Sequence, residues 1–163
     1  MSLTLRKSTF ICLVTCFCLG LIRWSVATDS DPAVSNINAN SENAVEAVDE
    51  DMHHFMEYIF EPNYKRLKAA MATEPKEKAT YKAIKGDSLT LAECANLLLT
   101  RAPEEDAKDW KQKSIAVRKH GGELYQAARK SDYASARSAY VNMLNNCNAC
   151  HKQFAGGKHQ LKP

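Results

Sequence analysis

The 163-residue sequence has no apolar run of membrane length. Its longest, from Thr9 to Ile22, falls short of the roughly 20 residues that a bilayer core requires, so a spanning helix is not expected. A surplus of one charge is missing as well. Arg6 and Lys7 precede the apolar run and Ser25-Val26-Ala27 follows it with small residues, the pattern of a secretory signal over residues 1–27. Three of the 22 basic side chains, Arg6, Lys7 and Arg23, leave with that segment, so 19 basic residues balance 19 acidic ones. A neutral chain carries no nucleic-acid footprint, and contact with a membrane is expected only through the signal before cleavage. No Ser-His-Asp set, carboxylate pair or phosphate-cradling loop is visible, which argues against an enzyme. Strand-like alternation is absent too. Finally, an even number of cysteines is missing: Cys94, Cys147 and Cys150 remain beyond the signal, and three thiols do not make a disulfide framework.

The rest of the chain is helical in pattern. Residues 28–48 are rich in Asn, Ser and Asp, and their scarce apolar surface reads as a disordered tether. A bundle domain is expected over residues 49–158. Its first helix runs from about 49 to 72, with Met52/His53, Met56, Ile59/Phe60, Tyr64, Leu67 and Met71 on one stripe and a bend at Pro62. The second begins near Pro75 and carries Tyr81, Ile84, Ser88, Leu91, Ala95 and Leu98. The third follows Glu104-Glu105-Asp106, whose charges suit a helix start, and its stripe is Trp110, Ser114, Val117, Gly121, Leu124 and Ala128. Gly121-Gly122 signals either close packing or a kink. Ser131-Asp132 caps the fourth helix, which presents Tyr133, Ala136/Arg137, Tyr140, Leu144, Cys147 and His151 on one face and ends at Ala155-Gly156-Gly157. Four such helices with short links predict an all-α, antiparallel up-down-up-down four-helix bundle, with residues 159–163 as a flexible tail.

The residues that carry chemistry are Cys147-Asn148-Ala149-Cys150-His151. Zinc wants four ligands and only His159 lies nearby; a redox dithiol opens a helix in a βαβ setting, whereas this pair closes one. The spacing C-x-x-C-H fits covalent attachment of one haem c: two thiols three residues apart for two thioether bonds, and an adjacent imidazole for the iron. Cys147 and Cys150 are therefore the candidate attachment points and His151 the proximal iron ligand.

A haem motif at the end of the last of four helices resembles the cytochrome c-prime family, over about Asp49 to Lys158. In that family a first-helix residue faces the iron opposite the histidine, four positions after an arginine. The resemblance puts Met56 at the facing position, with His53 and Met52 as rivals. Met52 stands where the family has arginine, so this chain departs from the pattern there. Homodimerisation through the first two helices is a further implication of the resemblance.

The expected function is an exported, periplasmic one-electron carrier whose redox partner is a protein of unspecified identity. The alternative is a five-coordinate haem module that binds or senses a diatomic gas, nitric oxide or carbon monoxide. Met56 decides between them: bonded to iron it favours electron transfer, and merely packed above an open site it admits gas. Lys65/Arg66 and Arg118/Lys119 are candidates for the haem propionates. Cys94 reads as an inert buried thiol, and His54 and His120 as ordinary helix histidines.

Overall fold

Each of the four apolar stripes forms a helix in the computed structural model, which describes residues 45–163. The expected signal, residues 1–27, and residues 28–44 of the expected tether lie outside the described residues. Among the described residues there is no strand, and no helix is long and apolar enough to cross a membrane. The first helix, α1, is built from three segments in unbroken succession: α-helical Met52–Phe55, π-helical Met56–Phe60 and α-helical Glu61–Ala70. After it come α2 (Lys78–Leu97, prolonged by a 3-10 turn over Leu98–Arg101), α3 (Ala107–Arg129) and α4 (Tyr133–Phe154).

The wide turn in α1 has a local cause. Pro62 has no N–H to donate back one turn, and its ring crowds the carbonyl it would have met. The helix widens just before it, so that the Glu61 N–H reaches the Met56 carbonyl, and the Asn63 side chain donates to the Ile59 carbonyl at 2.6 Å. The sequence predicts a bend at Pro62, and the structure places a π-helical turn, with its inserted residue, immediately before it. At the start of α1 the Asp51 carboxylate caps the His53 N–H at 2.7 Å. α2 begins at Lys78 rather than near Pro75, because the chain stays extended up to Glu77. The acidic run before α3 lies in a turn ahead of the helix, with Asp106 in the left-handed region at φ 57°. Asp132 caps α4 as expected, accepting from the Ser135 N–H at 3.0 Å.

Helices adjacent in sequence pack side by side around one core. The stripes of α2 and α3 are buried at every position named above: Tyr81, Ile84, Ser88, Leu91, Ala95 and Leu98 on α2 and its 3-10 turn, and Trp110, Ser114, Val117, Gly121, Leu124 and Ala128 on α3. α4 adds Ala136, Ala139, Tyr140, Met143 and Leu144, while α1 adds Leu67, with Met71 just beyond its last turn. Buried polar groups are tied off locally. Ser88 and Ser114 donate to carbonyls four residues back, and the nearly enclosed Asp87 takes two hydrogen bonds from Arg66, at 2.7 and 2.9 Å. That carboxylate holds the Arg66 guanidinium above its usual range.

Gly121-Gly122 shows both of its residues' separate roles. A Cβ on Gly121 would lie 3.2 Å from the Ala92 Cβ and 3.3 Å from its Cα, so the glycine is what lets α2 and α3 approach. A Cβ on Gly122 would meet nothing within 4 Å, and the helix runs through both without a break. Gly122→Ala is therefore expected to stabilise the chain by about 0.5–1 kcal/mol, and Gly121→Leu to destabilise it by about 1–3 kcal/mol or more. Urea unfolding of the two variants checks this; equal shifts would remove the packing role of Gly121.

Candidate functional site

The motif occupies the last two turns of α4, where residues three and four apart share a face. Cys147, Cys150 and His151 are accordingly brought together, each partly buried, and Cys147 and Cys150 pack at the fringe of the core as free thiols. Burial pushes the Cys147 thiol up to about 12, with the neighbouring Cys150 acting in the same direction. Burial also raises Cys150, against a lowering by Lys113. Both sulfurs are thus held protonated at neutral pH.

His151 is held in one tautomer. Its Nδ1 lies 2.9 Å from the His159 carbonyl oxygen. A carbonyl can only accept, so Nδ1 carries the hydrogen and the Nε2 lone pair is left free. Burial lowers the imidazole's affinity for a second proton, although the His159 carbonyl works the other way. A neutral imidazole with a free Nε2 is the form that binds a metal.

A chain of contacts places the start of α1 at the same end of the molecule. Arg101, which closes the turn after α2, donates to the Asp49 carbonyl at 2.7 Å and stacks on the Phe55 ring at 4.3 Å. Trp110, near the start of α3, donates to the Leu98 carbonyl at 2.6 Å and meets Phe154, three residues past His151, edge-on at 5.0 Å. Gln153 reaches Asp106 and Asp109, both at 3.3 Å. At the opposite end the Tyr133 hydroxyl, at the start of α4, donates to the Met71 carbonyl at 3.0 Å. Although α1 and α4 are linked there, no Cα of one comes within 8 Å of a Cα of the other. The backbones of α1 and α4 therefore meet along a loose seam, without close approach.

Met52 and Met56 are half-buried against the core, as are Phe55, Phe60 and Tyr64. His53 is exposed, with its Nε2 3.5 Å from Glu57. His54 is taken up by Asp49 at 2.9 Å, whose carboxylate raises the imidazole's pKa, and His120 lies 2.7 Å from Glu123. Cys94 is partly buried, and burial raises its pKa. The four basic residues considered for propionates all have other partners: Lys65 with Glu61, Arg66 with Asp87, Arg118 with Asn96 and Lys119 with Glu123.

Three groups have a feature that the sequence does not reveal. Arg101 Nε, Arg137 Nη1 and the Tyr140 hydroxyl are buried without a partner among the described residues. Each sits on a helix whose spacing shows its face, but only the tertiary arrangement shows that nothing pairs with it. Among the described residues no group of three or more His, Cys, Asp and Glu side chains converges as a metal cage. No protein-family model and no curated protein matches this chain.

Proposed function

We propose that the chain is an exported c-type haem protein that carries single electrons. Cys147 and Cys150 hold the porphyrin by two thioether bonds, and His151 Nε2 ligates the iron inside an antiparallel up-down-up-down bundle resembling cytochrome c-prime. The observation that carries this reading is the His151 tautomer: Nδ1 is committed to a carbonyl and Nε2 is free, on the same helical face as two thiols. The contacts of α1 with the end of α2, of α2 with the start of α3, and of α3 with the end of α4 support the antiparallel order.

The donor set also fits haem better than its rivals. A redox dithiol depends on a lowered thiol pKa, whereas burial raises both of these. A structural zinc site needs four converging donors, and the described residues bring together no such set. A haem has an apolar face for the seam between α1 and α4 and two carboxylates for unpartnered donors. Arg101, stacked on Phe55 with its Nε unpaired, is the guanidinium best suited to one of them, and it compensates for Met52 standing where the family has arginine. When bound, the haem supplies the one-electron couple; the chain supplies the ligand, the apolar cover and the charge balance. Met56 opens the π-helical turn, and such turns gather at functional sites, which makes it the first choice for the opposite side of the iron.

The test is the mass of full-length protein matured in a haem-competent cell and then denatured. One porphyrin is expected to stay attached, and to be lost in Cys147→Ser/Cys150→Ser; a porphyrin-free wild-type chain would end the proposal. The coordination of the reduced protein then separates the two uses of the haem. Slow carbon monoxide binding that becomes fast in Met56→Ala supports the electron carrier, and rapid binding by the unaltered protein supports the gas-binding module.

A further inference from the structure

Beyond α4 the chain does not trail away. Ala155 and Gly157 both donate to the His151 carbonyl at 3.0 Å, and Gly156 and Gly157 take φ of 60° and 76°, the left-handed pair that reverses a chain at a helix end. The segment read from sequence as a flexible tail, residues 159–163, is then fastened to two helices. His159 offers its carbonyl to His151 Nδ1 from a left-handed backbone, φ 57°. The Asn148 amide clamps Leu161 on both sides, donating to its carbonyl at 2.9 Å and accepting from its N–H at 2.7 Å. The Tyr64 hydroxyl does the same for Lys162, donating to its carbonyl at 2.9 Å and accepting from its N–H at 3.0 Å. Leu161 is partly buried against the core between these two clamps. Tyr64 belongs to α1 and Asn148 to α4, the two helices whose backbones stay apart.

We propose that residues 156–163 form a strap that positions His151, with Tyr64 and Asn148 as its two fastenings. Two observations support it. Among the described residues, the only acceptor given to Nδ1 is a strap carbonyl. That carbonyl is held by no regular secondary structure, since the residues after Phe154 form no helix or strand. Its location is set on one side by the helix-end bonds of Gly157 and Lys158 to the His151 and Ala155 carbonyls, and on the other by the side chains that grip Leu161 and Lys162. The strap thus transmits the spacing of α1 and α4 to the imidazole: the ring is oriented, its tautomer chosen and its donor strength raised from a distance. The inference rests on His151 being the iron ligand, but the tautomer can be read without iron.

The experiment uses the full chain carrying Tyr64→Phe with Asn148→Ala, which keeps both cysteines and the histidine of the motif. In the haem-free protein, nitrogen-15 NMR of His151 is expected to show a single Nδ1–H tautomer in the wild type and a mixture in the double variant. In the haem-loaded protein, the concentration of added imidazole that displaces His151 is expected to fall about 10-fold, the scale of losing a ligand's supporting hydrogen bond. His159→Gly keeps the carbonyl and suits the positive φ, so it is expected to match the wild type in both measurements. Should the double variant fail to fold by circular dichroism, Asn148→Asp replaces it: the carboxylate keeps the bond from the Leu161 N–H and loses the one to its carbonyl, giving an intermediate tautomer ratio. An unchanged tautomer in the folded fastening variant overturns the strap. A chain without covalent porphyrin that still shows the tautomer shift overturns the haem reading and leaves the strap standing.

Discussion

Trp110→Ala is expected to destabilise the chain by about 3–5 kcal/mol, the range for removing a buried large aromatic. The side chain is only 6% exposed, and three separate contributions leave with it. Its indole fills the end of the core where the 3-10 turn after α2 meets α3 and α4. Its Nε1–H satisfies the Leu98 carbonyl at 2.6 Å, and a buried carbonyl left unpaired costs about 1–3 kcal/mol. Its edge-on contact with Phe154 adds about 0.5–1.5 kcal/mol beyond area. Trp110→Phe separates these, since it keeps most of the apolar volume and loses the donor; a loss of about 1–3 kcal/mol is expected. In a thermal melt the alanine variant should unfold well over 10 °C below the wild type. A shift under about 1 kcal/mol would mean that Trp110 does not anchor this end. Because Phe154 follows His151 by three residues on the same helix, the alanine variant should also loosen the site.

What could be read from the sequence was whatever repeats. On α2 and α3 apolar and small residues return every three or four positions, and every member of both stripes is buried. The stripe of α1 was legible as a helix but not as a seam: Leu67 and Met71 are fully buried, whereas Met52, Met56, Phe60 and Tyr64 are only half covered, since no α4 backbone comes close. Periodicity cannot show that the facing neighbour is missing. The π-helical turn was hidden because Pro62 within a helical pattern reads as a bend. Asp87 was passed over because a lone carboxylate on a helix reads as solvated; its partner Arg66 lies on another helix. The strap was the least legible feature. Leu161 is a single apolar residue among polar ones, and the Tyr64 hydroxyl that helps to hold its neighbour is 98 positions away from Lys162 in sequence. The cysteine motif was legible because its chemistry is local, three residues for the thiols and one more for the imidazole.

That same motif predicts how the chain responds to alkali. Folding raises the Cys147 thiol from 9.0 to about 12, so the folded state holds this proton more tightly than the unfolded state. The sign follows: the stabilisation is fully present below pH 9, falls as the unfolded thiol ionises, and is gone once pH passes through about 12. A shift of that size corresponds to about 4 kcal/mol; because part of the residue still reaches solvent, about 2–4 kcal/mol is expected. Tyr140, raised well above its usual range by burial, adds to the loss in the same direction at the upper end of the window. Urea unfolding of the haem-free chain should therefore show stability dropping between pH 9 and 11, with the drop much reduced in Cys147→Ala. A thioether has no proton to lose. If porphyrin is joined to both sulfurs, the loaded protein should lose the thiol part of this slope and keep only what Tyr140 contributes. A haem-free chain whose stability stays flat from pH 9 to 11 would show that the thiol ionises freely in the folded state, and the argument from burial against a redox dithiol would fall with it.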